Sequence, residues 1–329
     1  MKRLYPLLMI LLLSLTLASI TLIAAQDEPP PEPPPDSGLD VVPEGTPLPL
    51  PTRMPRPASF VITENERAQL IFFFEALPQG QTGLMRVVGN EIANVRALFL
   101  GDLIDFFPAE DDFYGLLSAG MEQITDRDTP LAVYITFTDG SRTTLETTVE
   151  IVLGNFIRQQ VTVAPDKGYL LDIETERSEL ARLESIAGTV TLERLWDETG
   201  FQMPIFAALT SPFGAFRTFN GTLNTRHTGW DIRTTLGVPV MASAGGRVVF
   251  AGSLPIRGSY IVIDHGFGVF TGYAHLSTTH VTRGSEVAKG QVIGTTGDGG
   301  RTSGPHFHWE LAINGDWVDS IQFLEMWMP

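Results

Sequence analysis

The strongest constraint on the fold is a succession of short alternating segments separated by glycine-containing turns. Residues 131–138 alternate apolar and polar side chains, Asp139-Gly140 interrupts them, and residues 143–152 alternate again. An Asp-Gly pair between two alternating runs is a strong signal for a β-hairpin. Because many of the 32 glycines fall between such segments, we expect a mostly β protein.

Residues 59–156 are predicted to form a β-sandwich-like accessory domain. Besides the hairpin, this part contains three further strand candidates, at residues 83–88, 95–100 and 114–119. Short strands at regular spacing with turns between them are typical of a sandwich. This part shows no catalytic constellation, so we interpret it as a spacer or docking domain.

A connector, residues 157–204, precedes a second β domain at residues 205–325. In the connector we expect a short amphipathic helix at Glu174–Ile186, with Leu180, Leu183 and Ile186 on one stripe. The second domain is rich in Gly, Val and Thr and carries six strand candidates, at residues 239–242, 247–251, 260–264, 269–274, 292–295 and 306–313.

The N-terminal 58 residues are not expected to fold into a domain. Residues 1–25 begin Met-Lys-Arg and continue as an apolar run, the pattern of a cleaved signal peptide or, if retained, a membrane anchor. Either interpretation places the remaining chain outside the cytoplasm, in the secreted, periplasmic or cell-wall-associated fraction. Residues 26–58 contain 12 of the 23 prolines, so we interpret them as an extended linker.

Composition excludes several kinds of chemistry and partner. The formal net charge of −16 disfavours nucleic acid and anionic membrane surfaces, because both require basic patches. The only membrane contact that we expect is therefore through the N-terminal segment, if it is not cleaved. The absence of cysteine excludes disulfides, thiolate metal sites and thiol catalysis.

All six histidines lie after residue 226, which concentrates the metal-binding chemistry in the second β domain. His306 and His308 are two residues apart in an alternating segment, so a strand would direct both to the same face. His227 and Asp231 are four residues apart, and a straight strand would separate them by roughly 13 Å. We therefore expect a bend at Thr228-Gly229, with the glycine serving a sharp turn.

These residues predict one catalytic metal site. His227, Asp231 and His308 give a His₂-carboxylate set for Zn²⁺, which leaves a coordination position for water. No HExxH motif supplies a general base, so His275 and His306 are the candidates for proton transfer and oxyanion stabilisation. We interpret His265 as a structural residue that orders its turn, and His280 as an exposed residue.

The segments RHTGWDIRTTLG, YIVIDHGFGVFTGYAHLS and GTTGDGGRTSGPHFHWEL resemble the M23 zinc metallopeptidases, the lysostaphin and LytM-like peptidoglycan endopeptidases. The resemblance covers about residues 205–325. It implies an antiparallel β-sheet with a groove over the metal, and hydrolysis of peptide crosslinks in bacterial peptidoglycan by a zinc-activated water. By its motifs His227, Asp231 and His308 are ligands and His275 and His306 are catalytic.

The chain departs from the family's pattern at two places. Ser320 stands where a proline commonly follows Val-Asp, and residues 218–226 lack the tyrosine that lysostaphin-type members carry there. The second departure bears on oxyanion stabilisation and on specificity for a glycine bridge. The sequence leaves three substrate bonds open: a D-Ala–diamino-acid crosslink, a glycine bridge or another short bridge.

Two functions compete. The first is an active zinc endopeptidase acting on peptide stems or bridges. The second is a non-catalytic LytM-like module that binds and activates a cell-wall amidase. The complete set of five residues favours the enzyme, since degenerate relatives usually lack one or more of them. A further hypothesis is autoinhibition, in which a carboxylate such as Glu193, Asp197 or Glu198, or a loop of this region, covers the open metal position.

Overall fold

The computed structural model describes residues 51–188 and 190–329. The predicted signal segment and most of the predicted linker lie outside these residues. Residues 51–58 contain no helix or strand, as expected for the linker. They nevertheless contact the C-terminal segment, because Met54 N donates to Glu325 O at 2.8 Å and Arg53 Nη2 donates to Met328 O at 2.8 Å. Within the described part of the chain, no helix is both long and apolar enough to cross a membrane.

The first part of the described chain forms two five-stranded sheets. Its strands are β1 (Phe60–Glu64), β2 (Ala68–Phe72), β3 (Leu77–Pro78), β4 (Thr82–Gly89), β5 (Ile92–Phe99), β6 (Asp102–Asp105), β7 (Phe107–Ala109), β8 (Asp112–Ser118), β9 (Asp126–Phe137) and β10 (Arg142–Val152). The strand orders are β1-β2-β4-β8-β7 and β3-β10-β9-β5-β6. Apolar side chains from both sheets share one buried core.

The hairpin expected at Asp139-Gly140 joins β9 and β10. Gly140 has a φ of +81° and Asp139 accepts a hydrogen bond from Ser141 N at 2.8 Å. The alternating burial of β9 follows the predicted pattern, with Leu131, Val133 and Ile135 directed into the core. The alternation of the sequence therefore reports directly which face of this sheet is buried.

The connector begins with β11 (Arg158–Val161), passes through a 3₁₀ helix (Pro165–Leu170) and reaches α1 (Ile173–Ala187). Asp172 caps α1 by accepting hydrogen bonds from Glu174 N and Thr175 N. The expected apolar stripe is only partly correct. Leu183 is buried, but Leu180 and Ile186 are half-buried, and the buried face also contains Glu176 and Glu179. Both glutamates are paired with arginines far along the chain, Glu176 with Arg301 and Glu179 with Arg257, which offsets the cost of burying their charge.

The second β domain contains twelve strands and a short helix. They are β12 (Leu209–Ser211), β13 (Phe216–Phe219), β14 (Leu223–Arg226), β15 (Gly229–Ile232), β16 (Pro239–Met241), β17 (Gly246–Leu254), β18 (Gly258–Gly266), β19 (Val269–Thr279), β20 (Glu286–Val287), β21 (Val292–Thr296), β22 (Phe307–Ile313), β23 (Asp316–Val318) and α2 (Ser320–Glu325). The main sheet follows the order β12-β15-β22-β19-β18-β17-β20, and β11 of the connector pairs with β13. The mostly β fold is confirmed.

A shared apolar cluster joins the two β parts. Phe107 packs against Trp196 of the connector and Phe267 of the second part, with ring centroids 5.3 and 5.8 Å apart. Tyr114 and Leu311 belong to the same cluster. The predicted domain boundaries remain predictions, but the described residues on either side of them bury side chains in common.

Candidate metal centre

Three predicted ligands converge at the centre of the main sheet. His227 follows β14, Asp231 lies on β15, and His308 lies on β22 directly opposite Asp231. His227 Nε2 is 3.1 Å from Asp231 Oδ1 and 3.0 Å from His308 Nδ1, and His308 Nδ1 is 2.9 Å from Asp231 Oδ1. Three donor atoms this close together form a site able to hold one metal ion.

We predicted a bend at Thr228-Gly229; the structure shows an interruption between β14 and β15 at His227 and Thr228. The reason for the glycine is different from the one that we predicted. Gly229 is already part of β15, and its φ is not positive. A Cβ atom there would lie 2.3 Å from the carbonyl oxygen of Trp309 on β22. The glycine therefore permits a close approach of two strands beside the ligands, rather than a sharp turn.

Hydrogen bonds fix which nitrogen each of the two predicted ligand histidines directs to the site. His227 Nδ1–H donates to Pro212 O at 2.7 Å, so Nε2 faces Asp231 and His308. His308 Nε2 lies 3.1 Å from Glu310 Oε1, so Nδ1 faces the site. A carboxylate or carbonyl behind a histidine sets its tautomer and ring orientation, as is usual for metal ligands.

The other two predicted histidines lie next to this group. The His275 ring centroid is 4.8 Å from that of His306 and 5.8 Å from that of His308. His275 Nδ1 bonds Gly299 O at 2.7 Å and His306 Nδ1 bonds Gly304 O at 2.9 Å, which leaves both Nε2 atoms for other partners. His275 has a φ of +56°, a strained conformation that occurs preferentially at functional sites. The structure thus brings all five residues together, and the roles assigned to them stay predictions.

The electrostatics of His227 and Asp231 favour the protonation states that a metal site needs, whereas those of His308 do not: burial alone would lower the pKa of His308, but Glu310 and Asp231 raise it above its usual value. Burial lowers the pKa of His227 to about 3, with the Arg217 guanidinium adding to the effect. Burial likewise lowers the pKa of His275 well below its usual value. Burial alone would raise the pKa of Asp231, but neighbouring positive charge, above all the Arg217 guanidinium that donates to its Oδ2, holds it well below its usual range. A neutral His227 and an ionised Asp231 at neutral pH are the forms that bind metal.

Sequence reasoning missed the buried charges behind the ligands. Glu310 is fully buried and accepts hydrogen bonds from Arg257 Nε, Tyr260 Oη and Thr228 Oγ1. Although burial alone would raise the pKa of Glu310, Arg257 and His308 hold it well below its usual range. The sequence did contain a signal for Glu310. It follows His308 by two residues in an alternating strand, so the two side chains share one face of that strand. Arg217, which donates to Asp231 Oδ2, carried no comparable signal.

A small cavity of about 40 Å³ adjoins the ligands, enough for more than one water molecule. His227, His275 and His308 line it, together with four arginines and a single carboxylate, Glu176 of α1. Glu176 pairs with Arg301. The carboxylates that we expected to cover the metal, Glu193, Asp197 and Glu198, are exposed and do not line this cavity. The connector carboxylate that does line the cavity is Glu176 on α1, so cover of the site by the connector stays a hypothesis.

The remaining two histidines have the surroundings that we predicted. His265 is fully buried, with Nδ1 bonded to Gly245 O and Nε2 bonded to Thr271 Oγ1, both at 2.7 Å. His280 is exposed. Neither ring contributes a donor atom to the group of three ligands.

Comparison with known proteins confirms the resemblance over the site. Residues 225–320 match the sequence profile of Peptidase family M23. The peptidoglycan DD-endopeptidase ShyA of Vibrio cholerae serotype O1 is 42% identical over 96 residues, which are 29% of this chain and 22% of that protein. The DD-carboxypeptidase/endopeptidase Mpg of Neisseria meningitidis serogroup B is 40% identical over 131 residues, 39% of this chain and 30% of that protein.

The chain thus spans less than a third of the length of these curated relatives. Among solved structures, an M23-assigned protein from Pseudomonas aeruginosa aligns over 77% of this chain and 96% of its own chain, with a TM-score of 0.58 and 22% identity. That likeness shows that the fold is shared over most of the chain.

Proposed function

We propose that this protein is an exported, zinc-dependent endopeptidase that hydrolyses peptide crosslinks of bacterial peptidoglycan. One observation carries the proposal: His227, Asp231 and His308 present three donor atoms to one point, with His275 and His306 beside them. The names of the relatives, a DD-endopeptidase and a DD-carboxypeptidase/endopeptidase, support peptidoglycan peptides as the substrate class.

The donor set fits zinc. Two imidazole nitrogens and one carboxylate oxygen suit Zn²⁺, whereas Ca²⁺ and Mg²⁺ prefer oxygen ligands throughout. The same set also suits ferrous iron, and the match of the site residues to a peptidase family favours the hydrolytic metal. When bound, zinc supplies Lewis acidity, which lowers the pKa of water and polarises a carbonyl group.

The chain's own residues supply the proton chemistry. Because the Nδ1 atoms of His275 and His306 bond backbone carbonyls, their Nε2 atoms are the ones that exchange protons. In this role one ring would accept a proton from the attacking water and pass it to the leaving amine, and the other would stabilise the developing oxyanion. The export segment at residues 1–25 belongs to the proposal and agrees with a cell-wall substrate.

Metal analysis combined with a digest of purified peptidoglycan tests the proposal. We expect about one zinc per chain, release of new muropeptides, loss of release with a chelator, and recovery when zinc is restored. Mass analysis of the released muropeptides identifies the bond that is cut. A zinc-loaded protein that releases nothing alone but stimulates an amidase would replace the proposal with the non-catalytic module, which no observation here favours.

A further inference from the structure

One connector residue, Glu179, is bonded into the turn between β17 and β18. Its carboxylate accepts hydrogen bonds from Ile256 N at 2.7 Å and from Arg257 N at 3.1 Å. The same carboxylate accepts from Arg257 Nη1 at 2.9 Å. The Glu179 side chain is 1% exposed. These three hydrogen bonds therefore replace the hydrogen bonds to water that the carboxylate loses on burial.

Arg257 carries the contact from the connector to the metal centre. Its guanidinium Nε donates to Glu310 Oε2 at 2.8 Å, and its Nη2 donates to Thr228 Oγ1 at 3.0 Å. Glu310 in turn lies 3.1 Å from His308 Nε2. A continuous buried line therefore runs from Glu179 through Arg257 and Glu310 to a predicted metal ligand.

The backbone of Arg257 reaches a second functional residue. Arg257 O accepts a hydrogen bond from His275 N at 2.8 Å, at the point where His275 adopts its strained φ of +56°. A strained conformation persists only when its surroundings hold it. The turn that Glu179 anchors is thus one of the groups that hold His275.

We propose that Glu179 is a positioning residue for the peptidase reaction, so that helix α1 of the connector completes the active site from outside the family-matched segment. The inference rests on the proposed function. Glu179 lies 46 positions before residue 225, where the family match begins, and it does not line the cavity at the ligands. It acts through Arg257, and the predicted ligands and catalytic histidines are the groups that it positions.

Loss of the Glu179 charge leaves Arg257 with one carboxylate partner instead of two. A buried charge that loses its partner is costly, so we expect the turn, the Glu310 carboxylate and the His308 ring to shift. Disturbing the residues behind a metal ligand typically weakens metal affinity or activity 10–100-fold. For Glu179→Gln in the full chain we expect kcat to fall about 10-fold with KM nearly unchanged.

The test compares Glu179→Gln with Glu184→Gln, an exposed glutamate on the same helix. Both variants are measured for kcat, KM, zinc affinity by competition with a chelator, and the visible absorption of the cobalt-substituted protein. We expect Glu179→Gln to change kcat, zinc affinity and the cobalt spectrum, and Glu184→Gln to change none of them. If Glu179→Gln does not fold, Glu179→Asp, which retains the charge, should show the same pattern to a smaller degree.

The outcomes separate this inference from the proposed function. A wild-type protein that neither binds zinc nor cuts peptidoglycan defeats the proposed function. An active wild type, with Glu179→Gln equal to Glu184→Gln in kcat and in cobalt spectrum, overturns only the positioning role. A variant that loses thermal stability but keeps both of those readouts assigns Glu179 to folding alone and also overturns it.

Discussion

His306 and His308 stand two residues apart, but their rings have different partners. His308 shares the cluster with His227 and Asp231, whereas His306 Nε2 is 3.5 Å from Asp231 Oδ1 and its ring packs against His275. We therefore expect His308→Ala to lose zinc and activity together. His306→Ala should keep near-stoichiometric zinc and lose roughly 10²–10⁴ in rate, the usual contribution of proton transfer.

Metal content and peptidoglycan hydrolysis, measured on both variants, check this assignment. Exposed His280→Ala is the matched control, with zinc and activity expected to equal those of the wild type. If His306→Ala were the metal-free protein and His308→Ala kept its zinc, the two roles would be exchanged.

We expect His265, which lies outside the proposed metal site, to make the stability of the fold depend on pH. Burial lowers the pKa of His265 from 6.5 to about 4 in the folded protein. Between these values the unfolded chain binds a proton that the folded chain does not, so acid favours unfolding. The free energy of unfolding therefore keeps its full contribution from neutral His265 above pH 6.5 and loses that contribution as the pH falls toward 4. Its full size is about 3 kcal/mol, on the order of 1.4 kcal/mol for each pKa unit.

Urea unfolding between pH 4 and pH 7.5 measures this effect. We expect His265→Gln to have a free energy of unfolding that is lower at pH 7.5 and depends less steeply on pH than that of the wild type. His280→Gln is the control, because His280 is exposed. Equal slopes in His265→Gln and the wild type would mean that other groups account for the acid sensitivity.

At the scale of elements, the pairing of β15 with β22 places two predicted ligands, Asp231 and His308, opposite each other. A Cβ atom on Gly229 would meet Trp309 O at 2.3 Å, and backbone cannot move aside as a side chain can. We expect Gly229→Ala to destabilise the fold by about 1–3 kcal/mol and to weaken zinc binding, because Asp231 and His308 face each other across the same two strands.

Gly168→Ala is the matched control, since a Cβ atom there has no neighbour within 4 Å. Its stability should be unchanged or slightly raised. Thermal unfolding and zinc titration of both variants provide the measurement. Wild-type zinc affinity in Gly229→Ala would show that the strand spacing does not control the ligands.

Elements that depend on a local sequence pattern could be predicted. Features that depend on a partner far away in the chain could not. The β9–β10 hairpin was predictable because alternation and an Asp-Gly turn are local signals. The burial of Glu179 was not, because its donors in Ile256 and Arg257 lie 77 and 78 residues away. The five residues that the structure brings together were named from their motifs, and their roles stay predictions. The true reason for Gly229 required the position of Trp309, which no local pattern contains.

At the scale of the whole molecule, the shared aromatic cluster predicts that the two β parts unfold together. All five tryptophans lie at residue 196 or later, so tryptophan fluorescence reports on the second part and the connector. Phe107 is buried in the first part against Trp196 and Phe267. We expect Phe107→Ala to lower stability by about 3–5 kcal/mol and to shift the fluorescence transition in urea.

Leu103→Ala, a surface truncation in the same part of the chain, should leave that transition in place. Circular dichroism, which reports on both parts, should give the same midpoint as fluorescence for each protein. Two separate midpoints, with only the circular dichroism transition moved by Phe107→Ala, would show that the two parts unfold independently.

Recombination between related proteins is constrained by two contacts of the connector: the pairing of β11 with β13 and the hydrogen bonds of α1 to the β17–β18 turn. A recombination event that exchanged residues 205–325 alone would separate Arg217 from Gln159 and Arg257 from Glu179. We expect chimaeras between related proteins to be productive only when their crossover lies before residue 158. The unit that must be exchanged as a whole would then be larger than the segment, residues 225–320, that matches the family profile.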